Sequence, residues 1–393
     1  MPQPYSTSGP RPGVHGFPAP PIQQTVRPPR FVAIGGGTGL PMVLQGLTHR
    51  LRNLPLFTEG PWDLSDCLSA IVTVTDDGGS SGWMRRELGI LPPGDARNCL
   101  AALAAHSSPL SRVLQYRFTK AGHLTGHTVG NLVLAALAQM TGDFAEAVQQ
   151  LATMLGICGR VFPSTTEDVT LVAEFAEGEI ARGETQIVSR AKPIRRLSLE
   201  RSVRPLPDSL RAIVNADAVI VGPGSLYTSL LPNLLVGGLA PTLSGANAVR
   251  IYVANLMTQR GETDGFDLED HLRVIHQHAG RRLFDYVIVN TRPLSDFCAR
   301  EQERQGSEPV PAPVGDTTAD GIRIIRGEFA MELPGGEVRH SPDVLSAVIL
   351  RLVEEHRTAR LAEESFAGET SVRPGRVVRP SNTPPILSSP QNL

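Results

Sequence analysis

Short apolar runs that end in small or polar residues recur along this chain. Phe31-Val-Ala-Ile34 reads as a buried strand, and Gly35-Gly-Gly-Thr-Gly39 follows at once. A helical pattern then begins at Leu40-Pro-Met-Val-Leu44. Ser69-Ala-Ile-Val-Thr-Val74 is a second β-branched run, leading into Thr75-Asp-Asp-Gly-Gly-Ser-Ser-Gly82. Residues 217–221 lead into Gly222-Pro-Gly-Ser-Leu-Tyr-Thr-Ser229, 250–254 into Asn255-Leu-Met-Thr-Gln259, and 284–289 into Asn290-Thr291. Helical spacing is read over 96–106 with Asp95 as its N-cap, and over 109–118, 132–140, 143–155, 267–278 and 341–363. Strands alternating with helices predict a three-layer α/β/α domain around a mainly parallel, Rossmann-like sheet. Residues 168–175 and 179–188 flank a Glu-Gly pair and read as a small β-hairpin insertion. Residues 193–207 carry four arginines and read as an extended connector with a solvated basic edge. Residues 300–320 read as a loop.

The ends differ from the middle. Residues 1–29 hold nine prolines and read as a flexible tail. The expected organisation is a nucleotide-binding domain over 30–335, a C-terminal helix over 336–366, and a disordered Pro/Ser-rich tail over 367–393. Residues 218–249 carry no charged residue, but three prolines and several glycines interrupt them. They read as buried strand, turn and helix rather than a membrane span.

Composition narrows the function. A net charge of −2 argues against a general nucleic-acid binder, and 5% aromatic residues offer no stacking platform for single strands. Cys67, Cys99, Cys158 and Cys298 show no CxxC spacing. They read as reduced thiols of a cytoplasmic protein, with no zinc site.

The candidate chemistry lies at the ends of the strands. A strand, a glycine turn and a helix start present main-chain N–H groups to an anion. Gly36, Gly37, Thr38 and Gly39 form one such phosphate cradle. Gly222, Gly224, Ser225, Tyr227 and Ser229 fall in a second. In a parallel sheet these loops share one rim with Thr75, Asp76, Asp77, Ser80 and Ser81, and with Asn255, Thr258 and Gln259. Adjacent Asp76 and Asp77 are candidate Mg²⁺ ligands. His127 and Asn131, four residues apart at a glycine-framed helix start, face one way and are candidate ligand contacts. The dinucleotide fingerprint is incomplete, because Leu40 stands where the third glycine belongs, so NAD is the weaker cofactor reading. No Walker A lysine and no G-x-S-x-G elbow are present, which weighs against an NTPase and a hydrolase.

Six motifs occur in order: Gly35–Gly39, Thr75–Gly82, Pro93-Gly-Asp95, Gly126-His-Thr-Val-Gly-Asn131, Gly222–Ser229, and Asn255–Gln259 with Gly261-Glu-Thr263. Over about residues 30–335 the chain resembles the gluconeogenesis factors, the YvcK-type branch of the CofD-like proteins. The resemblance implies a cytoplasmic bacterial regulator, not an enzyme, that binds UDP-N-acetylglucosamine. It also implies a link to growth on gluconeogenic carbon sources, cell shape and cell-wall precursor supply, through a precursor enzyme as partner. A homo-oligomer is expected. The related transferase branch moves a phospholactyl group from a guanosine diphosphate donor to a deazaflavin with Mg²⁺, and this is the alternative reading. Phe266 stands where that family often has a tyrosine sugar-nucleotide contact, keeping the ring without the hydroxyl. Thr128 stands where asparagine is common.

Overall fold

The structure, a computed structural model, describes residues 27–370 apart from 59–61, 105–108 and 121. Residues 1–26 of the tail predicted over 1–29, most of the C-terminal tail and His106 lie outside the described residues.

Twelve strands are described. In chain order they are β1 (Phe31–Gly35), β2 (Leu68–Val72), β3 (Arg160–Pro163), β4 (Leu171–Phe175), β5 (Ile180–Arg182), β6 (Ile194–Leu199), β7 (Ala218–Val221), β8 (Val249–Val253), β9 (Tyr286–Asn290), β10 (Arg323–Gly327), β11 (Ala330–Glu332) and β12 (Val338–His340). Seven of them form one parallel sheet in the order β10-β9-β8-β7-β1-β2-β3. The chain builds outward from β1 to β3 on one side, then returns to the other side of β1 and builds from β7 to β10. The reversal falls between β1 and β7, which is where ligands bind in open α/β sheets.

Period-two alternation divides each strand between two cores. Phe31 and Ala33 of β1, with Ala218 and Ile220 of β7, face the helices Leu40–Arg52, Gly94–Leu103 and Phe144–Leu155 and the C-terminal helix. Val32, Ile34, Val219 and Val221 face the helices Leu231–Leu235, Leu239–Gly245 and Leu268–Ala279. These strands are apolar on both faces because both faces are covered. Residues 218–236 are almost wholly buried for the same reason. No single helix among the described residues is long and apolar enough to cross a membrane, and the apolar pair Leu226–Leu235 and Leu239–Gly245 is bent by 81°.

Five readings need correction. The expected antiparallel insertion is present as the β4–β5 hairpin, but the stretch expected to be a connector adds a third strand, β6, which pairs with β4 in the order β5-β4-β6. The second half of the expected hairpin is helix Glu184–Arg190, which starts after Gly183 at φ +87°. Residues 296–304 form a helix capped by the Ser295 hydroxyl, where part of a loop was expected. The final helix starts at Pro342 and runs to Thr370, and the residues before it form the β11–β12 hairpin. Asp95 is also not an N-cap: that position is Pro93, and Asp95 lies in the first turn of helix Gly94–Leu103.

Candidate functional site

The turns after β1 and β7 touch. A Cβ on Gly39 would lie 2.4 Å from the Pro223 carbonyl oxygen, and one on Gly224 would lie 3.5 Å from the Gly36 oxygen. At Gly39 only main chain fits, whereas the Gly224 approach is an ordinary contact. Asn233, fully buried on the helix after the second turn, bridges the two segments. Its Nδ2 donates to the Gly35 oxygen at 3.0 Å and to the Ser229 oxygen at 2.8 Å. The second turn opens into a π-helical turn, Leu226–Leu230, in which the Leu230 N–H reaches back five residues to the Ser225 oxygen. Such wide turns concentrate at functional sites.

Together the turns wall an open cleft of about 270 Å³. Gly37, Thr38, Gly39, Gly224, Ser225, Ser229, Asn255, Thr258 and Gln259 all line it, as expected for one rim. Gln259 Nε2 donates to Ser225 Oγ at 2.7 Å, and Asn255 Oδ1 accepts the Gly224 N–H at 3.4 Å. Thr258 is a strap as well as a lining residue: its N–H donates to the Glu308 oxygen at 2.7 Å, and its Oγ1 accepts the Glu308 N–H at 2.9 Å. The opposite wall comes from Gln302, Gln305, Ser307 and Arg339, on the helix Asp296–Arg304, the segment after it and β12. Nothing in the apolar pattern marked these residues, because they reach the cleft only through the docking of C-terminal elements.

A second polar cluster sits beside the cleft, on the β2 side. Ser80 Oγ lies 3.0 Å from His127 Nδ1 and accepts from Asn131 Nδ2 at 3.1 Å. The Trp83 ring meets His127 edge-on at 4.8 Å. Ser81 is buried against Gly94, where a Cβ would lie 2.7 Å from its Oγ. Thr75 is buried and bonds Thr73 at 2.9 Å, so it supports the loop from within.

The link between cluster and cleft is a residue the site reading had passed over. Asp95 Oδ1 accepts the Gly37 N–H at 2.9 Å, and Asn98 Nδ2 donates to the Gly37 oxygen at 3.4 Å. The Gly37 amide is therefore engaged by a carboxylate and not open to a ligand in this state. Burial, with the neighbouring Asp76 charge adding to it, pushes the Asp95 carboxyl up to about 7. Burial likewise raises Glu184, to about 9, and Glu262, to about 7. Arg97, on the same helix as Asp95, is a buried guanidinium whose Nη2 donates to Asn98 Oδ1 at 2.7 Å. The signal for Asp95 is the Pro93-Gly-Asp95 motif itself, one of the six ordered motifs, whose aspartate reads from the local pattern as a helix start.

Three assignments change. Asp76 and Asp77 diverge. Asp76 Oδ1 accepts the Gly78 N–H at 2.8 Å and its other oxygen faces Gly94, whereas Asp77 Oδ1 accepts from the Thr185 N–H at 2.8 Å and hydroxyl at 2.6 Å. The carboxylate neighbouring Asp76 across the site is Asp95. Among the described residues no group of three or more His, Cys, Asp or Glu side chains is arranged to hold a metal. Two carboxylates with phosphate oxygens still suffice for Mg²⁺. Tyr227 is buried away from the cleft, its hydroxyl donating to the Ile194 oxygen at 3.5 Å and its ring edge-on to His278. Phe266 packs edge-on against His271 at 5.6 Å and does not line the cleft. Gly222, at φ +86°, packs against the Val253 oxygen and shapes the turn from below.

The comparisons with known proteins agree with this architecture. Residues 31–330 match the family model described as 2-phospho-L-lactate transferase CofD. The gluconeogenesis factor of Bacillus subtilis is 38% identical over 83% of this chain and 99% of its own length. The gluconeogenesis factor of Halalkalibacterium halodurans is 39% identical over 81% and 95%. A crystal structure of a UPF0052-family protein from Bacillus halodurans superposes with a TM-score of 0.75 at 38% identity, covering 82% of this chain and 100% of that one. A matched domain spanning most of the chain, on a sheet whose switch point carries both small-residue turns, places this protein in the gluconeogenesis-factor branch of the CofD family.

Proposed function

We propose that the protein is a cytoplasmic regulator that binds UDP-N-acetylglucosamine in the cleft between the two turns. In this reading it signals to an enzyme of cell-wall precursor supply when cells grow on gluconeogenic carbon sources. One observation carries the reading: the seam between Gly39 and Pro223 makes two small-residue turns a single wall at the sheet's switch point. A pyrophosphate fits such a wall through the Ser225 and Ser229 hydroxyls and the turns' main-chain N–H groups other than those of Gly37 and Gly224, which side chains already engage. Gln302, Gln305 and Arg339 then face the groups attached to it. The four cysteines are unpaired, in keeping with a reducing compartment.

Calorimetric titration of UDP-N-acetylglucosamine into the full chain tests the reading, with UDP, GDP and NAD as comparators. Binding of the sugar nucleotide at micromolar to low millimolar concentration is expected, weakened about tenfold or more by Ser225→Ala. No heat at millimolar ligand overturns it. The Asp76–Asp95 pair beside the cleft favours one rival, a Mg²⁺-dependent transferase acting on a nucleoside diphosphate donor. Mg²⁺-dependent release of a nucleoside monophosphate, abolished by Asp76→Asn, would favour that rival.

A further inference from the structure

A cavity of about 720 Å³ opens at the other end of the sheet from the cleft. Its walls include the first residues of β8, β9 and β10, and the C-terminal helix closes one side through His356 and Arg360. The guanidiniums of Arg250, Arg282, Arg323 and Arg360 line it, and Asp285 is the carboxylate among the described lining residues. Arg250 already neutralises that carboxylate through Nε at 2.9 Å and Nη2 at 2.5 Å. Arg282 makes no hydrogen bond or ion pair with any described residue, and its head group lies beside Gly321. Arg323 donates to the Tyr286 hydroxyl at 3.3 Å and lies 5.8 Å from that ring's centroid, with no carboxylate partner among the described residues. Arg360 Nη1 donates to the Asn247 oxygen at 3.4 Å. The His356 Nε2 is buried with no hydrogen-bond partner among the described residues.

Several like charges around one cavity repel one another, and a single compact polyanion relieves that repulsion at several points. Guanidinium forks match phosphate oxygens two at a time. We propose that this cavity is a second ligand site, for a short oligophosphate chain, either inorganic or carried by a nucleotide. Its occupant would join the starts of three strands to the C-terminal helix, which packs on Leu40–Arg52, the helix that follows the first cradle.

The test is calorimetric titration of tripolyphosphate, and in parallel ATP, into the full chain at low and at physiological salt. Binding is expected with an affinity that falls several-fold as salt is added, because the contacts are solvent-facing charges. Arg282→Ala with Arg323→Ala should weaken it at least tenfold; both side chains are exposed, and an unchanged melting temperature checks that the fold is intact. Ser225→Ala should leave it unchanged, which separates this site from the cleft. Equal affinity for ATP and tripolyphosphate assigns recognition to the phosphate chain, and a large gain for ATP adds a base contact. No binding up to millimolar tripolyphosphate overturns the proposal. So does binding that Ser225→Ala abolishes and the arginine variants leave intact, because the anion then sits in the cleft.

Discussion

Gly39→Ala tests the seam on which the cleft depends. Gly39 has φ −78° and ψ −47°, a conformation any residue adopts, so the substitution adds a contact without backbone strain. The new methyl would lie 2.4 Å from the Pro223 carbonyl oxygen and 2.8 Å from its carbon, about 1 Å inside ordinary contact. Both partners are main chain, so relief requires the two turns to separate. Overpacking of this kind costs about 1–3 kcal/mol. If the separation also withdraws one turn from the ligand, affinity falls about tenfold for each 1.4 kcal/mol lost. Gly245→Ala is the control, because a Cβ there meets nothing within 4 Å. Urea unfolding should place the control within about 0.5 kcal/mol of wild type. Calorimetry should show weaker UDP-N-acetylglucosamine binding by Gly39→Ala alone. A Gly39→Ala protein with wild-type stability and wild-type binding would refute the contact between the turns.

Three further outcomes follow from the same geometry. Asn233→Ala removes a buried donor from the Gly35 and Ser229 oxygens, so a loss of about 1–3 kcal/mol is expected in urea unfolding, and unchanged stability contradicts the bridge. Asp95 is raised from 3.8 to about 7, so the folded state holds a proton that the unfolded chain releases. Its stabilising contribution is complete below pH 3.8 and is lost as pH rises to about 7. Asp95→Asn should flatten that fall in a pH series of unfolding curves, and parallel wild-type and variant profiles would count against it. Titrated with Mg²⁺ in the presence of UDP, Asp76→Asn should lose metal affinity, while Asp77→Asn keeps it and costs at most about 1 kcal/mol of stability, because the amide Oδ1 still accepts from Thr185 and only the charge of those contacts is lost. The reverse pattern would restore Asp77 as the metal ligand.

The chain's local chemistry was enough to establish several features. Apolar runs in a period of two, each ending in glycines or hydroxyls, specified a parallel sheet and the rim that carries its loops. Gly37, Gly39, Gly224 and Ser225 were legible because a turn that lets an anion or another main chain approach must be built from small residues. The antiparallel sheet was only half legible: β6 is rich in arginine, and its pairing with β4 outweighed a composition that favoured a connector.

What remained for the tertiary structure was everything that depends on distance between segments far apart in the sequence. Asp95 joins Gly37 across 58 residues, and Asn233 reaches Gly35 across 198. The directions taken by neighbouring Asp76 and Asp77 were settled by what each met, Gly94 or Thr185, and not by their own identity. Tyr227 and Phe266 left the expected site because burial against His278 and His271 decided their orientation. Periodicity reports which face of an element is apolar. It carries no information about which distant element will cover that face, and the far wall of the cleft is made by such coverage.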